Sequence, residues 1–406
     1  MLCEDVASAT SSLFIGNLEV SMENKVVSIY IHIPFCVRKC LYCDFLSFPC
    51  DITVHEQYVD ALCREIREYT GGVGGVEALK WPINVATIFF GGGTPSLLTP
   101  ALVGKILEEI KSKFNILDDA EISMECNPGT ATLDNLREYR KLGINRLSIG
   151  LQSANDAELE ALGRIHNYKQ FEDTYAWARE AGFDNINIDL MSALPGQSLE
   201  SYLHSLTTAV KKRPEHISAY SLIIEENTPF WELYGDDSSV NNLPDEDTER
   251  EMYYATERLL AEAGYHRYEI SNYALDGYEC EHNKVYWTGG DYISFGIGAS
   301  SYVDGVRYNN ISNIEEYIEM PGKHTDINKL SKEDMQEEYM FVGLRLMQGV
   351  SISGFMDKFG ISMKEVYGHV IDRFIMEGLL EEIGDRIRLT SRGIDVSNVV
   401  LSEFLL

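Results

Sequence analysis

From residue 26 to about residue 223, short β-branched runs alternate with amphipathic stretches, the pattern of repeated strand–helix units around a parallel sheet. Six strands are predicted, at Val27 to Ile33, Val85 to Phe90, Glu121 to Cys126, Arg146 to Gly150, Asn185 to Met191 and His216 to Leu222. Between the second and third, Leu102, Val103, Ile106, Leu107, Ile110 and Phe114 keep helical spacing, with Thr99 as N-cap and Pro100 at the first helical position. A helix of this kind is expected after each strand. Six units fall short of the eight that close a barrel, so the pattern predicts an α/β fold built as an open, partial (β/α)6 barrel.

The pattern changes beyond residue 225. Asn227 to Asp247 is polar, acidic and turn-rich, with Pro229 and Pro244, and is read as a connection from the core (26–225) to a helix near Asp247 to Ala263. Residues 226–330 then extend the core. Residues 331–406 run helix, short helix, helix and a glycine-punctuated hairpin, GLLEEIGDRIRLTSRG, which predicts a winged-helix-like module. A module that reads a nucleic-acid groove needs a positive face. From Glu333 onward 13 acids stand against 7 bases, so a packing or lid role is expected instead.

Composition narrows the function classes. The 406 residues are 45% hydrophobic, enough for a large core, and carry a formal net charge of −30. That charge disfavours nucleic acid and anionic membrane surfaces as partners, since both are bound by clustered Lys and Arg. No apolar run reaches the roughly 18–20 residues of a membrane span, and the first 25 residues hold no arginine and no long apolar core. A soluble, cytoplasmic protein without a targeting segment is expected. Eight cysteines in such a chain read as thiols or metal ligands rather than a disulfide framework. Cys3, Cys50, Cys63, Cys126 and Cys280 are scattered and are expected to be mostly small buried hydrophobes; the other three fall within eight residues.

Those three, Cys36, Cys40 and Cys43, form C-x3-C-x2-C in YIHIPFCVRKCLYCDF at the end of the first strand. Three thiolates on a short loop suit a [4Fe–4S] cube, leaving one of its four irons without a protein ligand. A small chelate suits that iron, and the amino and carboxylate groups of S-adenosylmethionine are one. The alternative is structural zinc, which wants four ligands, usually in paired clusters, and no second cluster is evident. His32 is a possible fourth ligand, although a histidine inside an alternating strand is more often a packing residue.

CVRKCLYC resembles the radical-SAM signature. With YIHIPFC before it, the segment is similar to the branch that contains oxygen-independent coproporphyrinogen III dehydrogenases (HemN) and HemW-like haem chaperones. The likeness continues through GGGTPS (Gly91 to Ser96), EISMECNP, RLSIGLQS and NIDLMSALPGQ, each at or just after the C-terminal end of a predicted strand, where barrel folds place active sites. Three consecutive glycines permit close approach of backbone to a ligand. The resemblance implies that Tyr30, Tyr42, Gly92, Gly93, Thr94, Glu125, Gln152, Arg164 and Asp189 line an S-adenosylmethionine site. The carboxylates suit the sulfonium, ammonium and ribose hydroxyls, and Arg164 suits the carboxylate.

Two features choose within the branch. The dehydrogenases carry a fourth cysteine two residues after the third, and this chain has Phe45 there. CEHNKVYW, at Cys280 to Trp287, resembles the H-N-x-x-Y-W motif of the haem chaperones. By that resemblance His282 offers an imidazole to haem iron, Tyr286 and Trp287 give the porphyrin an apolar wall, and Cys280 competes as ligand. The expected function is that of a haem chaperone, taking haem from a donor and delivering it to an acceptor protein, with cluster and S-adenosylmethionine as cofactors and a homodimer as a possible assembly. The rival readings are a coproporphyrinogen III dehydrogenase and an RNA-modifying radical-SAM enzyme.

Overall fold

The computed structural model describes residues 25–72, 82–235, 240 and 242–405; Cys3 and the N-terminal stretch read as free of a targeting signal lie outside them. Six parallel strands pair in chain order: β1 (Val26–Ile33), β2 (Asn84–Gly92), β3 (Asn115–Cys126), β4 (Arg146–Gln152), β5 (Ile186–Ser192) and β6 (His216–Ser221). They are linked through α1 (Ile52–Glu68), α2 (Pro100–Lys113), α3 (Leu133–Leu142), the pair α4 (Asp156–Ala161) and α5 (Tyr168–Glu180), and α6 (Leu199–Lys212). Thr99 caps α2 as expected, its side chain accepting from the Leu102 amide. This is the α/β, open partial barrel that the periodicity predicts.

The connection after β6 holds more structure than its composition suggests. Within it, α7 (Pro229–Tyr234) begins at a proline, with the Thr228 side chain accepting from Trp231 N, and α8 (Glu246–Glu262) follows. Both edges of the six-strand unit are then extended. Beyond β6, β8 (Asn272–Ala274) pairs antiparallel to it and β7 (His266–Arg267) pairs antiparallel to β8 at the edge. After α9 (Glu281–Trp287), β9 (Tyr292–Phe295) pairs parallel to β1, and β10 (Ser300–Val303), β11 (Val306–Asn310) and β12 (His324–Lys329) complete twelve strands.

A buried carboxylate ties this extension to the barrel. Glu65 on α1 accepts from Gly296 N (3.0 Å), Asn310 Nδ2 (2.6 Å) and the hydroxyl of Tyr317 (2.5 Å) on α10 (Ile314–Glu319). Burial pushes its pKa up to about 7 against those three donors. Glu65→Ala strands all of them and is expected to cost about 3 kcal/mol or more, measured as a fall in the urea midpoint, whereas Glu65→Gln keeps an acceptor and costs less.

The C-terminal segment has its own core around Met340, Leu344, Phe355, Phe359, Tyr367, Phe374 and Phe404. It contains α11 (Lys332–Gly343), α12 (Ile352–Phe359), α13 (Met363–Met376) and a sheet of β13 (Val350–Ser351), β14 (Leu380–Ile383) and β15 (Arg386–Leu389), in the helix–helix–helix–hairpin order expected of a winged-helix-like fold.

The inner face of the barrel is polar at most levels. Thr87 donates to Ser28 Oγ (2.7 Å), Asn187 Nδ2 to Ser148 Oγ (2.8 Å), and Ser218 Oγ to Asn187 Oδ1 (3.2 Å). Strands covered on both faces ordinarily run apolar throughout. Here alternate residues are polar because Ser148, Asn187 and Ser218 line a cavity, while Ser28 and Thr87 are buried beneath α9, where Thr87 meets His282.

Candidate functional site

The cysteine loop leaves β1 and is held at several points. Cys36 N donates to Phe48 O (3.2 Å), Leu41 N to Leu162 O (3.0 Å) and Phe230 N, from α7, to Leu41 O (3.0 Å). Phe230 is buried with Leu162, Met191 and Leu194, against Leu41 and Tyr42. The helix inside the presumed linker therefore clamps the loop. Arg38 donates to Gly163 O and Arg164 O, both at 2.9 Å. His32 spends its nitrogens elsewhere: Nε2 donates to Leu46 O (2.8 Å), so Nδ1 accepts from the Tyr30 hydroxyl (3.2 Å), and burial lowers its pKa.

Cys36, Cys40 and Cys43 are free thiols on one cavity of about 530 Å³ at the C-terminal ends of the strands. Tyr30, Tyr42, Gly92, Gly93, Thr94, Glu125, Gln152, Arg164, Asp189, His282 and Tyr286 also line it, so the structure gathers fourteen of the fifteen nominated residues and leaves out Trp287. The glycines are demanded by space. A Cβ at Gly93 would lie 2.7 Å from Phe35 O and 3.1 Å from Cys36 Sγ, and at Gly92, where φ is +111°, 2.6 Å from the His32 ring. Gln152 ends β4 at φ 64°, a left-handed backbone that costs a non-glycine residue of order 1–3 kcal/mol.

Charge in this cavity is unbalanced at both ends. Near the thiols, Arg164 donates to Asn127 Oδ1 (2.6 Å), Gly150 O (3.1 Å) and Cys40 Sγ (3.7 Å), while its buried Nε has no partner. Burial opposes its charge, but the Tyr42 phenol and the Cys40 thiol beside it hold the proton on. Deeper in, Glu125 accepts from Gly92 N (3.1 Å), and Asp189 accepts from Asn187 Nδ2 (2.7 Å) and Ser148 Oγ (3.2 Å). Burial, then Asp189, pushes Glu125 up to about 8, and burial raises Asp189 as well. An arginine beside three thiols and two acids raised by burial farther in fit a ligand with a carboxylate at one end and positive charge along its length. S-adenosylmethionine on an iron–sulfur cube has that form.

The CEHNKVYW motif divides between two cavities. It forms α9, which plugs the floor of the barrel with Glu121 accepting from the amides of Glu281 and His282 (3.1 and 3.3 Å). The His282 ring is buried, with Nδ1 2.7 Å from Thr87 Oγ1, Nε2 3.0 Å from the Tyr286 hydroxyl and its plane stacked on Phe89 at 5.1 Å. Burial, then Arg146, holds its pKa down to about 3. An iron bond would require Tyr286 to leave Nε2. The Cys280 thiol, 3.5 Å from Glu121 Oε1, is buried and pushed up to about 12, so it is no thiolate. Trp287 faces a second cavity of about 190 Å³, shared by α9, β9 to β11, α11 and α12, and Tyr286 lines both.

Three site features escape motif reading. Asn127 bridges Arg164 and Thr94 (2.6 and 2.7 Å) from the turn after β3; its signal was the N-P-G turn that follows the glutamate. Arg146 and Glu121, 4.0 Å apart, form the floor beneath α9. Phe230 lay in the segment read as a connection.

Comparison with known proteins bears on this geometry. The Radical SAM superfamily matches residues 30–209 and the HemN C-terminal domain residues 330–396. The heme chaperone HemW of Lactococcus lactis is 35% identical over 95% of this chain and 99% of its own. The chain belongs to the HemW family. Members from Bacillus subtilis and Escherichia coli are each 36% identical over 93% of this chain and 99% and 98% of theirs. Among solved structures, E. coli coproporphyrinogen III oxidase HemN, a radical SAM enzyme, superposes at a TM-score of 0.80 and 22% identity, covering 94% of this chain and 90% of that one; this likeness concerns the fold. Membership makes the cluster and S-adenosylmethionine the cofactors of the family to which these residues belong. Among the described residues no helix is long and apolar enough to cross a membrane.

Proposed function

We propose that this protein is a haem chaperone that binds haem and delivers it to an acceptor protein in the cytoplasm, and that it works as a homodimer when its cofactors are bound. The observation that carries the reading is the split of the HNKVYW helix between two cavities. Its histidine reaches into the cavity of the cysteines, and its tryptophan lines an aromatic cavity at the junction with the C-terminal segment. Cys36, Cys40 and Cys43 would hold the cluster. Gly92, Gly93, Thr94, Gln152 and Arg164 would receive the methionine end of S-adenosylmethionine, and Glu125, Asp189, Tyr30 and Tyr42 the remainder. When bound, cluster and S-adenosylmethionine can supply reductive cleavage of a carbon–sulfur bond. The residues bind and orient them and keep water from the floor. Haem would lie against Tyr286 and Trp287, with His282 behind Tyr286.

The anaerobically reconstituted protein is expected to bind haem, seen as a saturable Soret band, and to yield no protoporphyrinogen when given coproporphyrinogen III, reductant and S-adenosylmethionine. The exposed Phe45 stands where the dehydrogenases carry their extra cysteine. Sustained turnover would transfer the protein to the dehydrogenase reading.

Glu125 gives a pH dependence with a definite sign. Below about 8 its carboxyl is mostly protonated, and a cationic ligand that needs the carboxylate must expel that proton. Affinity for S-adenosylmethionine should therefore rise with pH up to about 8, by at most about tenfold per pH unit, and level off above. Calorimetry in buffers of different ionisation heat reads the proton release, and Glu125→Gln should flatten the profile.

A further inference from the structure

The cavity at the junction of α9, β9 to β11, α11 and α12 contains unsatisfied donors and no free acceptor charge. Its walls are aromatic, with Trp287, Tyr292, Tyr302 and Tyr339 on it. The Trp287 ring is fixed from one side by the Arg345 guanidinium, 4.6 Å from its centroid, yet its buried Nε1 has no hydrogen-bond partner. Two cations line the cavity. Arg307 is neutralised by a bidentate pair with Glu338 (2.7 and 3.0 Å), which also consumes the lining carboxylate. Lys358 is exposed, with its Nζ 5.8 Å from the Phe359 ring, and has no carboxylate partner among the described residues. In a chain of net charge −30, an unpaired ammonium and an unpaired indole N–H on residues that line one aromatic cavity call for an anionic acceptor joined to a flat apolar body.

We propose that Lys358 and the Trp287 indole N–H form a carboxylate-binding subsite that orients a planar aromatic macrocycle in this cavity. The proposal rests on the chaperone reading and adds to it which end of the cargo is held. At about 190 Å³ the cavity is below the ~300–1,000 Å³ of sites that enclose a ligand of drug size, so it takes one edge of a tetrapyrrole and leaves the rest outside. Carboxylates held at the rim, with the ring edge between Tyr286 and Trp287, leave the opposite edge free for an acceptor protein. The Tyr286 partition then separates the cargo from His282.

The test uses the full-length, reconstituted protein with three probes: haem, iron-free protoporphyrin IX and protoporphyrin IX dimethyl ester, whose carboxylates are masked. Lys358→Glu is expected to weaken haem and protoporphyrin about tenfold and to leave the ester unchanged. Trp287→Phe, which keeps a flat ring and removes the N–H, should weaken the two acids several-fold more than the ester. Iron–sulfur content at the wild-type level shows that each variant is folded. Wild-type haem affinity in both variants, or an equal loss for acid and ester, overturns the subsite while leaving haem binding intact. A wild-type protein that binds none of the probes overturns the chaperone reading and the subsite with it.

Discussion

Replacing Cys36, Cys40 and Cys43 together with alanine is expected to abolish iron binding, from about four irons per chain to none, and to remove the broad visible absorption of the reconstituted protein. The three thiols share one cavity, and His32, the histidine nearest to them in sequence, is committed to Leu46 and Tyr30. Of the other described cysteines, Cys126 also lines the cavity but has its thiol pushed up to about 11 by burial. Cys63 lies under α2, with its thiol 3.9 Å from Lys105 O and pushed up to about 11 by burial, and Cys50 is half-exposed after the loop. Cys50→Ala and Cys63→Ala should keep the full iron content. A complete cluster in the triple variant would remove the assignment of these ligands.

The expected damage to the fold is small, because the loop does not depend on its thiols. Phe48 O, Leu162 O and the amide of Phe230 hold its backbone, and the hydrophobic cluster around Phe230 holds its side. Loss of iron without loss of the thermal transition is therefore the expected pair of results. Phe230→Ala is the converse: it keeps every thiol and loosens the wall that places them.

Much of this was legible in the sequence, for identifiable reasons. Parallel strands with helices between them write a long, regular signal, and β1 to β6 came out within two residues at every end except the start of β3, which lies six residues earlier, at Asn115. The cofactor face followed because motifs at strand ends share one side of a barrel. The short strands β9 to β12 were not resolved, since four to six residues at a sheet edge alternate too briefly to be told from loops. α7 was hidden by its acidic, proline-bearing surroundings, although Pro229 after Thr228 is a helix start. The polar floor had a readable signal that went unused: Thr87 and Glu121 sit between apolar neighbours, and Arg146 and His216 open strands that turn apolar at the next residue. A parallel strand with polar residues at alternate positions encloses a site. The separation of His282 from Trp287 had no such signal, because five residues of helix carry the chain from one cavity to the next.

That separation gives His282→Ala its expected result. The substitution removes a ring stacked on Phe89 and leaves Thr87 and Tyr286 without their partner, so a loss of about 2–4 kcal/mol is expected from the structure alone. If the imidazole also reaches haem iron, the variant loses haem affinity and its Soret band shifts, while iron–sulfur content holds. Two further changes separate these effects. Thr87→Val removes the partner of Nδ1 and should lower stability with little effect on the haem spectrum. Tyr286→Phe keeps the ring that walls the junction cavity but uncovers Nε2; it should tighten haem binding if the imidazole reaches the iron, and leave it unchanged if the ring keeps the cargo from His282. A His282→Ala protein that matches wild type in affinity and spectrum, with stability alone reduced, would make the histidine a buried support for α9 and move the iron ligand to another residue. Tyr286→Phe binding more weakly than wild type would point the same way, since the hydroxyl would then serve the haem and not the histidine.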